Sequence, residues 1–406
     1  MNFEEQISTI RQAVQQEYQT MLDAQQQKLD DLSSSLQKRL RNFAHPNVSA
    51  RINWKHDPSK SIKVDQPYAG LQLGERGFSG DLSRFGHGMQ RSYMLALLQE
   101  LIEYDNDEVP TLIMGIEEPE LFQHPPQVRH LSEALIELSS NNNQIIVCTH
   151  SPHFIPGDQF EKVRMVTECG EPSETKVNQL TYQDLSTLLQ SVGEDHLQEV
   201  GMVARLYPSI NPIVSEMFFC RKLILVEGYE DVAHIKSYLL MSGIIEKFRK
   251  FGCHIVPVEG KSNLIKPLAV AKLLNIPTFV VFDLDTDKEE IENPDRRNME
   301  VGKHRSDNRK ILDLKDLQHI NEWPRENIVA RQVFAWRTNL TREVKESLGD
   351  NYHTYENQAN AHYGNAGRLK KNPLKIAKAL EFAFGNDIVS EPLMTCINHV
   401  DAFLEE

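Results

Sequence analysis

Four acids in two short stretches carry the chemistry this sequence can do. Glu227 and Asp231 lie in VEGYED, and Asp283 and Asp285 lie in DLD. Each stretch closes an apolar run, residues 223–226 and 278–282. A short apolar run ended by an acid and a glycine reads as a buried strand turning into a helix, and DVAHIKSYLLM supplies the helix. In an open parallel sheet, the carboxyl ends of neighbouring strands face one crevice. Glu227, Asp231, Asp283 and Asp285 are therefore expected to converge, with Asp287 as an outer member. Carboxylates so placed repel unless a cation sits among them, and an all-oxygen donor set suits Mg²⁺ or Mn²⁺. One or two such ions could be held there, and a bound divalent ion can activate water.

Taken singly, EG and DLD are ordinary turn chemistry. In order, with strand and helix patterns between them, Glu227-Gly228 and Asp283-Leu284-Asp285 resemble the Toprim domain of topoisomerases, primases and some nucleases.

A second set of chemical residues precedes the first. Glu117-Glu118-Pro119 closes the apolar run 112–116, and Thr149-His150-Ser151 closes the run 145–148. Upstream, Gly86-His87-Gly88 opens an amphipathic helical pattern carrying Gln90, and backbone N–H groups at such a start can hold an anion. An acid pair ending one strand and a histidine after the next resemble the Walker B strand and histidine loop of ABC-type ATPases. The resemblance implies that Glu117 holds Mg²⁺, that Glu118 polarises the attacking water, and that His150 touches the γ-phosphate. It makes Gly86, His87, Gly88, Gln90, Glu117 and His150 candidate ATP-binding residues. Aligning Gly88-Met89-Gln90 on the ABC signature puts His87 where a serine usually stands, with Ser83 the nearest upstream hydroxyl.

From about residue 48 onward, GHGMQR, IEEPELFQHP, THSPHF, VEGYED and DLD together resemble the OLD (overcoming lysogenization defect) family, an ABC-type ATPase fused to a Toprim nuclease. The resemblance implies an α/β architecture in three parts: a helical arm over 1–44, a partial ABC-type ATPase lobe over 45–215, and a Toprim domain, a parallel sheet flanked by helices, over 216–406. It also implies a DNA endonuclease of phage-related or defensive use, with a catalytic lysine in the basic loop of GRLKKNPLK. Lys371 is the first choice there and Lys370 the second. The chain departs from the family in two places. It has no G-x-x-x-x-G-K-[ST], so ATP is expected only if a partner chain supplies the Walker A lobe; otherwise this is a truncated or degenerate ATPase. Leu340 is followed by Thr341, where relatives tend to carry an acid, and Glu343 comes two further on. The rival reading is a non-nucleolytic sensing or assembly subunit in which the Toprim part is a scaffold.

The formal charge of −14 argues against a protein that coats nucleic acid indiscriminately. The charge is nearly balanced from Arg221 onward, so the excess acid lies before the Toprim-like part. Five cysteines show no metal-ligand spacing, which fits a reducing, cytoplasmic setting without structural zinc. No apolar run has the length of a membrane span. Apolar residues from Ile7 to Leu40 recur at threes and fours, as in a long projecting or pairing helix, so self-association is expected. VSARINWKH alternates like a strand, 162–181 reads as a hairpin, and TYQDLSTLLQSVG reads as a helix. The charged stretch after Asp285 reads as a substrate-facing loop and helix start, in which Lys303, His304, Arg305, Arg309 and Lys310 could meet phosphates.

Overall fold

The computed structural model describes residues 4–43, 51–54, 72–75, 78–90, 93–94, 96–97, 113–140, 143–155, 157–170, 173–349, 351–367 and 371–406. The chain divides into two compact units, Met1–Ser92 and Tyr93–Glu406. Among the described residues, no helix is long and apolar enough to cross a membrane.

In the first unit the Gln-rich stretch is one 40-residue helix, α1 (Glu4–Phe43). Neither glycine nor proline interrupts it. Ile7 and Leu22 are buried on it, whereas Ile10, Val14, Met21 and Leu32 are exposed. Residues 51–54, where alternation predicts a strand, form none. The Ile52 N–H instead donates to Ser33 Oγ of α1 at 2.8 Å. The rest of that alternating stretch lies outside the described residues. β1 (Gln72–Glu75) and β2 (Phe78–Asp81) pair as an antiparallel hairpin. Helix begins at His87, its first turn closed by the N–H groups of Met89 and Gln90 on the Gly86 carbonyl.

The second unit opens with β3 (Ile113–Glu117), α2 (Pro125–Ser140) and β4 (Gln144–Cys148). β3 and β4 pair in parallel, with Glu117 opposite Cys148. Leu131, Leu135 and Leu138 of α2 cover Met114, Ile116, Ile145 and Val147. The other face stays open, with Ile113 and Ile146 exposed. The hairpin expected over 162–181 is β5 (Met165–Cys169) with β6 (Glu174–Asn178). Next comes α3 (Tyr182–Ser191), started by a reciprocal cap between Thr181 and Asp184, then α4 (Glu199–Leu206).

From Lys222 the chain builds a five-stranded sheet in the order β10-β11-β9-β7-β8. In chain order the elements are β7 (Lys222–Val226), α5 (Tyr229–Met241), α6 (Ile245–Lys250), β8 (Cys253–Pro257), α7 (Ile265–Leu273), β9 (Thr278–Asp283), α8 (Pro294–Leu314), β10 (Ile328–Ala330), β11 (Val333–Trp336), α9 (Leu340–Leu348), α10 (Asn351–His362), α11 (Pro373–Phe384) and α12 (Glu391–Glu405). β8, β7, β9 and β11 run parallel, and only β10 is antiparallel. Such a sheet needs cover on both faces, and its strands read as continuous apolar runs for that reason. Side chains alternate between the faces. Leu223, Leu225, Val280 and Phe282 join one core with residues of α3, α4, α7 and α8. Ile224, Val226, Phe279, Val281 and Trp336 join the other with residues of α5, α9, α11 and α12. Most of the stretch after Asp285, read as a loop and helix start, is helical. It is the 21-residue helix α8, with Asn293 as its cap and Pro294 in its first turn.

Candidate active site

The parallel strands deliver their carboxyl ends to one edge. Glu227 follows β7, and its Oε1 accepts the Asp283 backbone N–H at 2.8 Å, tying the end of β7 to the end of β9. Asp231 sits in the first turn of α5 and accepts the Gly228 N–H at 2.7 Å, which holds the helix start against the strand. Asp283 closes β9, and its Oδ1 accepts the Leu340 N–H at 2.9 Å, at the N-terminus of α9. Three of the four expected acids are thus each pinned by one oxygen to a backbone N–H.

The surroundings disfavour charge on all three. Burial pushes Glu227 up to about 7 against the pull of Lys261. Burial, and after it the Glu227 charge, push Asp231 up to about 7. Burial, followed by Glu227, Asp231 and Asp285, holds Asp283 well above the usual carboxylate range. Acids crowded in this way keep their protons until something positive arrives.

Asp285 turns elsewhere. Its backbone is left-handed, φ 58°, and its N–H donates to the Thr338 carbonyl at 2.9 Å. Its carboxylate meets Lys261 Nζ at 2.7 Å, His304 Nδ1 at 3.1 Å and Lys288 Nζ at 3.1 Å. Burial alone would raise it, but His304 and Lys261 together hold it below the usual range. Asp287 lies toward Lys288 and Arg342, 3.9 and 3.6 Å away. Among the described residues, no group of three or more acids, histidines or cysteines is placed to hold a metal ion as it stands. The donor chemistry of Glu227, Asp231 and Asp283 nonetheless fits a hard divalent cation: all oxygen, negative when ionised, and disfavoured as bare charges first by burial and then by one another.

Lys371 stands at the same edge. Its Nζ is 2.7 Å from Glu230 Oε1, one residue before Asp231. The bond to Glu230 raises the Lys371 ammonium, and Asp231 and Asp283 add to the effect. Lys370 lies outside the described residues. Glu343 accepts from Thr338 Oγ1 at 2.9 Å and pairs with Arg337, so it braces the turn after β11. Of the basic residues on α8, only His304 of the paired ones reaches the acids. Arg305 pairs with Glu322, Arg309 with Asp313, and Lys310 with Glu194, while Lys303 is exposed.

Sequence reasoning missed Lys261, Lys288 and Glu230. For Lys261 a signal existed. Val226-Glu227-Gly228 recurs as Val258-Glu259-Gly260 at the end of the next strand, and the second copy is followed by lysine.

The ATPase-like acids are arranged differently. Glu118 has φ 47°, and its N–H donates to the Cys148 carbonyl at 2.8 Å. That places its Oε1 3.1 Å from His150 Nε2. Glu120, another residue missed in the sequence, accepts from Thr149 Oγ1 at 2.8 Å and from the His150 N–H at 2.7 Å, which fixes the loop after β4. Gly86, His87, Gly88 and Gln90 belong to the first unit, where Gln90 Nε2 donates to the Phe85 carbonyl at 2.9 Å.

Known proteins share these features. Residues 1–155 match the family described as AAA ATPase domain, and residues 218–285 match the Overcoming lysogenization defect protein-like TOPRIM domain. The Old nuclease of Escherichia phage P2 is 27% identical over 269 residues, 64% of this chain and 43% of that protein. Endonuclease GajA of Bacillus cereus is 24% identical, over 54% of this chain and 33% of that protein. The OLD nuclease of Thermus scotoductus is 27% identical, over 56% of this chain and 39% of that protein. The chain spans less than half the length of these curated relatives. Among solved structures, the C-terminal region of the Burkholderia pseudomallei OLD protein aligns over 46% of this chain and 99% of its own at 19% identity and a TM-score of 0.30. The corresponding Xanthomonas campestris region gives 46% and 97%, 16% identity and 0.28. Fold and family models together define an ATPase-type segment followed by a Toprim domain. The chain is similar to nucleases of the OLD type in carrying these two segments.

Proposed function

We propose that this chain provides the cleavage centre of a metal-dependent DNA endonuclease that hydrolyses phosphodiester bonds at its Toprim edge. One observation carries the reading. Glu227, Asp231 and Asp283 meet at the carboxyl ends of β7 and β9, with Lys371 held beside them by Glu230. The names of the relatives, two nucleases and an endonuclease, point the same way. Glu227, Asp231 and Asp283 would hold Mg²⁺ or Mn²⁺, which when bound supplies an activated water and a Lewis acid at the phosphate. The protein's own part is positional. Backbone N–H groups at the ends of β9 and α9 fix the acids, so little reorganisation remains when the cation arrives. Lys371, exposed at the rim, releases Glu230 and offers its ammonium to the developing charge on the phosphate oxygens.

The reading extends to use and assembly. DNA is the substrate, and defence against phage is the proposed role, as the family resemblance implies. Glu117, Glu118 and His150 are proposed to act on ATP only together with a Walker A lobe, which the sequence does not contain. The half-open β3–β4 sheet is the surface such a lobe would cover. A cytoplasmic site of action is proposed with the rest. The test is cleavage of supercoiled plasmid with Mg²⁺ or Mn²⁺ and without ATP. Metal-dependent cutting supports the reading. No cutting under any divalent ion, by a folded chain, favours the scaffold alternative.

A further inference from the structure

Lys261 is the buried cation nearest the acids, and nothing above uses it. Its side chain is almost entirely covered. Buried lysines persist only when paired and hydrogen-bonded. Lys261 is both: Nζ donates to the Asp283 carbonyl at 2.6 Å and to Asp285 Oδ2 at 2.7 Å. The backbone that carries it is unusual. Glu259 has φ 60° and Gly260 φ 128°, two successive left-handed residues after β8, and the Gly260 N–H donates to the Glu227 carbonyl at 2.8 Å. Asp285 is left-handed as well. Strained backbone on both sides of one ion pair indicates an arrangement held for use.

We propose that Lys261 is a built-in cation of the cleavage centre, occupying the position a second divalent ion would need. Asp285 is then its positioning partner rather than a metal ligand. The inference rests on the metal-dependent reading above and deepens it. An ion bridging Asp283 and Asp285 would have to share Asp285 with an ammonium 2.7 Å away, and with Lys288 and His304 on its remaining faces. Repulsion between a dication and a fixed ammonium at such range is severe in a covered site. Glu227, Asp231 and Asp283 remain, one donor set for one ion. Lys261 also grips the main chain of Asp283, so its charge and the aim of the Asp283 carboxylate are set together.

The test is Mn²⁺ stoichiometry and affinity, measured by calorimetry and electron paramagnetic resonance on the full chain. Wild type is expected to bind one tight ion. Asp285→Asn should still bind one, with affinity changed by no more than about threefold, whereas Asp283→Asn should lose about 30-fold or more. Lys261→Met should gain a second ion, and Lys261→Arg should stay at one. If Lys261→Met does not fold, the Asp285→Asn and Lys261→Arg arms decide. Two tight ions in wild type overturn the inference, as does an Asp285→Asn loss equal to that of Asp283→Asn; both leave the metal-dependent reading standing. Absence of any Mn²⁺ binding by folded wild type overturns that reading, and this inference with it.

Discussion

The second unit ends its strands on acids twice, with opposite results. Among the described residues β3 and β4 form a two-stranded parallel sheet covered on one face, and their chemical residues stay near solvent. The His150 side chain is 82% exposed, although it lies 3.1 Å from Glu118. β7 and β9 sit inside a five-stranded sheet with helices on both faces, and every residue from Leu223 to Val226 is fully buried. There the same device, an apolar strand closed by an acid, produces carboxylates pushed up to about 7. The strand motif supplies the acid, and the layers around the sheet decide its electrostatics. A covered sheet can hold a strained cluster of acids, while the acids at the β3–β4 edge stay near solvent.

The largest effect that could break this comparison is on stability. Trp336 lies fully buried against Phe334 in the covered sheet, with ring centres 4.6 Å apart. Trp336→Ala is expected to cost about 3–5 kcal/mol in urea unfolding. Ile146, on the open face of β4, is 63% exposed. Ile146→Ala should stay within about 0.5 kcal/mol. Equal costs would mean that the β3–β4 face is covered in solution.

Next comes Lys371→Ala. Cleavage should fall by about 10²–10³-fold, as for loss of one group that meets transition-state charge. Stabilisation by Mn²⁺ should be kept, because Lys371 pairs with Glu230 and is not a ligand. Loss of both would make the lysine a structural prop of α5.

The pH dependence of the metal-free chain is a smaller effect. Glu227 and Asp231 titrate near 7 when folded, above the ordinary carboxylate range when unfolded. The folded chain therefore binds more protons than the unfolded chain in between. The stability these two acids contribute is complete below about pH 4 and is lost as pH rises through about 7. In chelator, wild type should lose a few degrees more of melting temperature between pH 5 and 8 than Asp231→Asn does, on the order of 2–4 °C. Parallel declines would mean that Asp231 is not the strained group.

The smallest expected effect is at the ATPase-like acids. Calorimetry should find no micromolar ATP binding by this chain alone, and Glu118→Gln should leave its cleavage of DNA unchanged. ATP turnover that disappears in Glu118→Gln would show that the β3–β4 edge works without a Walker A lobe.

Much of the covered sheet was legible because its strands are continuous apolar runs closed by acids, and Glu227, Asp231 and Asp283 followed from where parallel strands end. The hairpin and the Thr181-capped helix were legible from alternation and capping chemistry. α8 was not, because its buried residues, Asp307, Asn308, Ile311, Leu312 and Leu314, come late and are partly polar. The first turns offered no apolar stripe, though Asn293-Pro294 marked the start. Lys261 was missed because a lysine after Glu-Gly reads as a surface turn. Only tertiary structure shows that two left-handed residues turn it inward. The partners of Asp285 were hidden for the same reason, since His304 reaches it from a helix whose sequence reads as a charged loop and no more than a helix start.

The account stands most directly on Asp283. Wild type and Asp283→Ala should be compared for plasmid cleavage and for the melting shift on adding Mn²⁺, at one pH and without ATP. The expected result is metal-dependent cutting and a clear upward shift in wild type, with both lost in a variant that keeps its fold by circular dichroism. Cutting by Asp283→Ala at the wild-type rate would contradict the account and place the catalyst elsewhere.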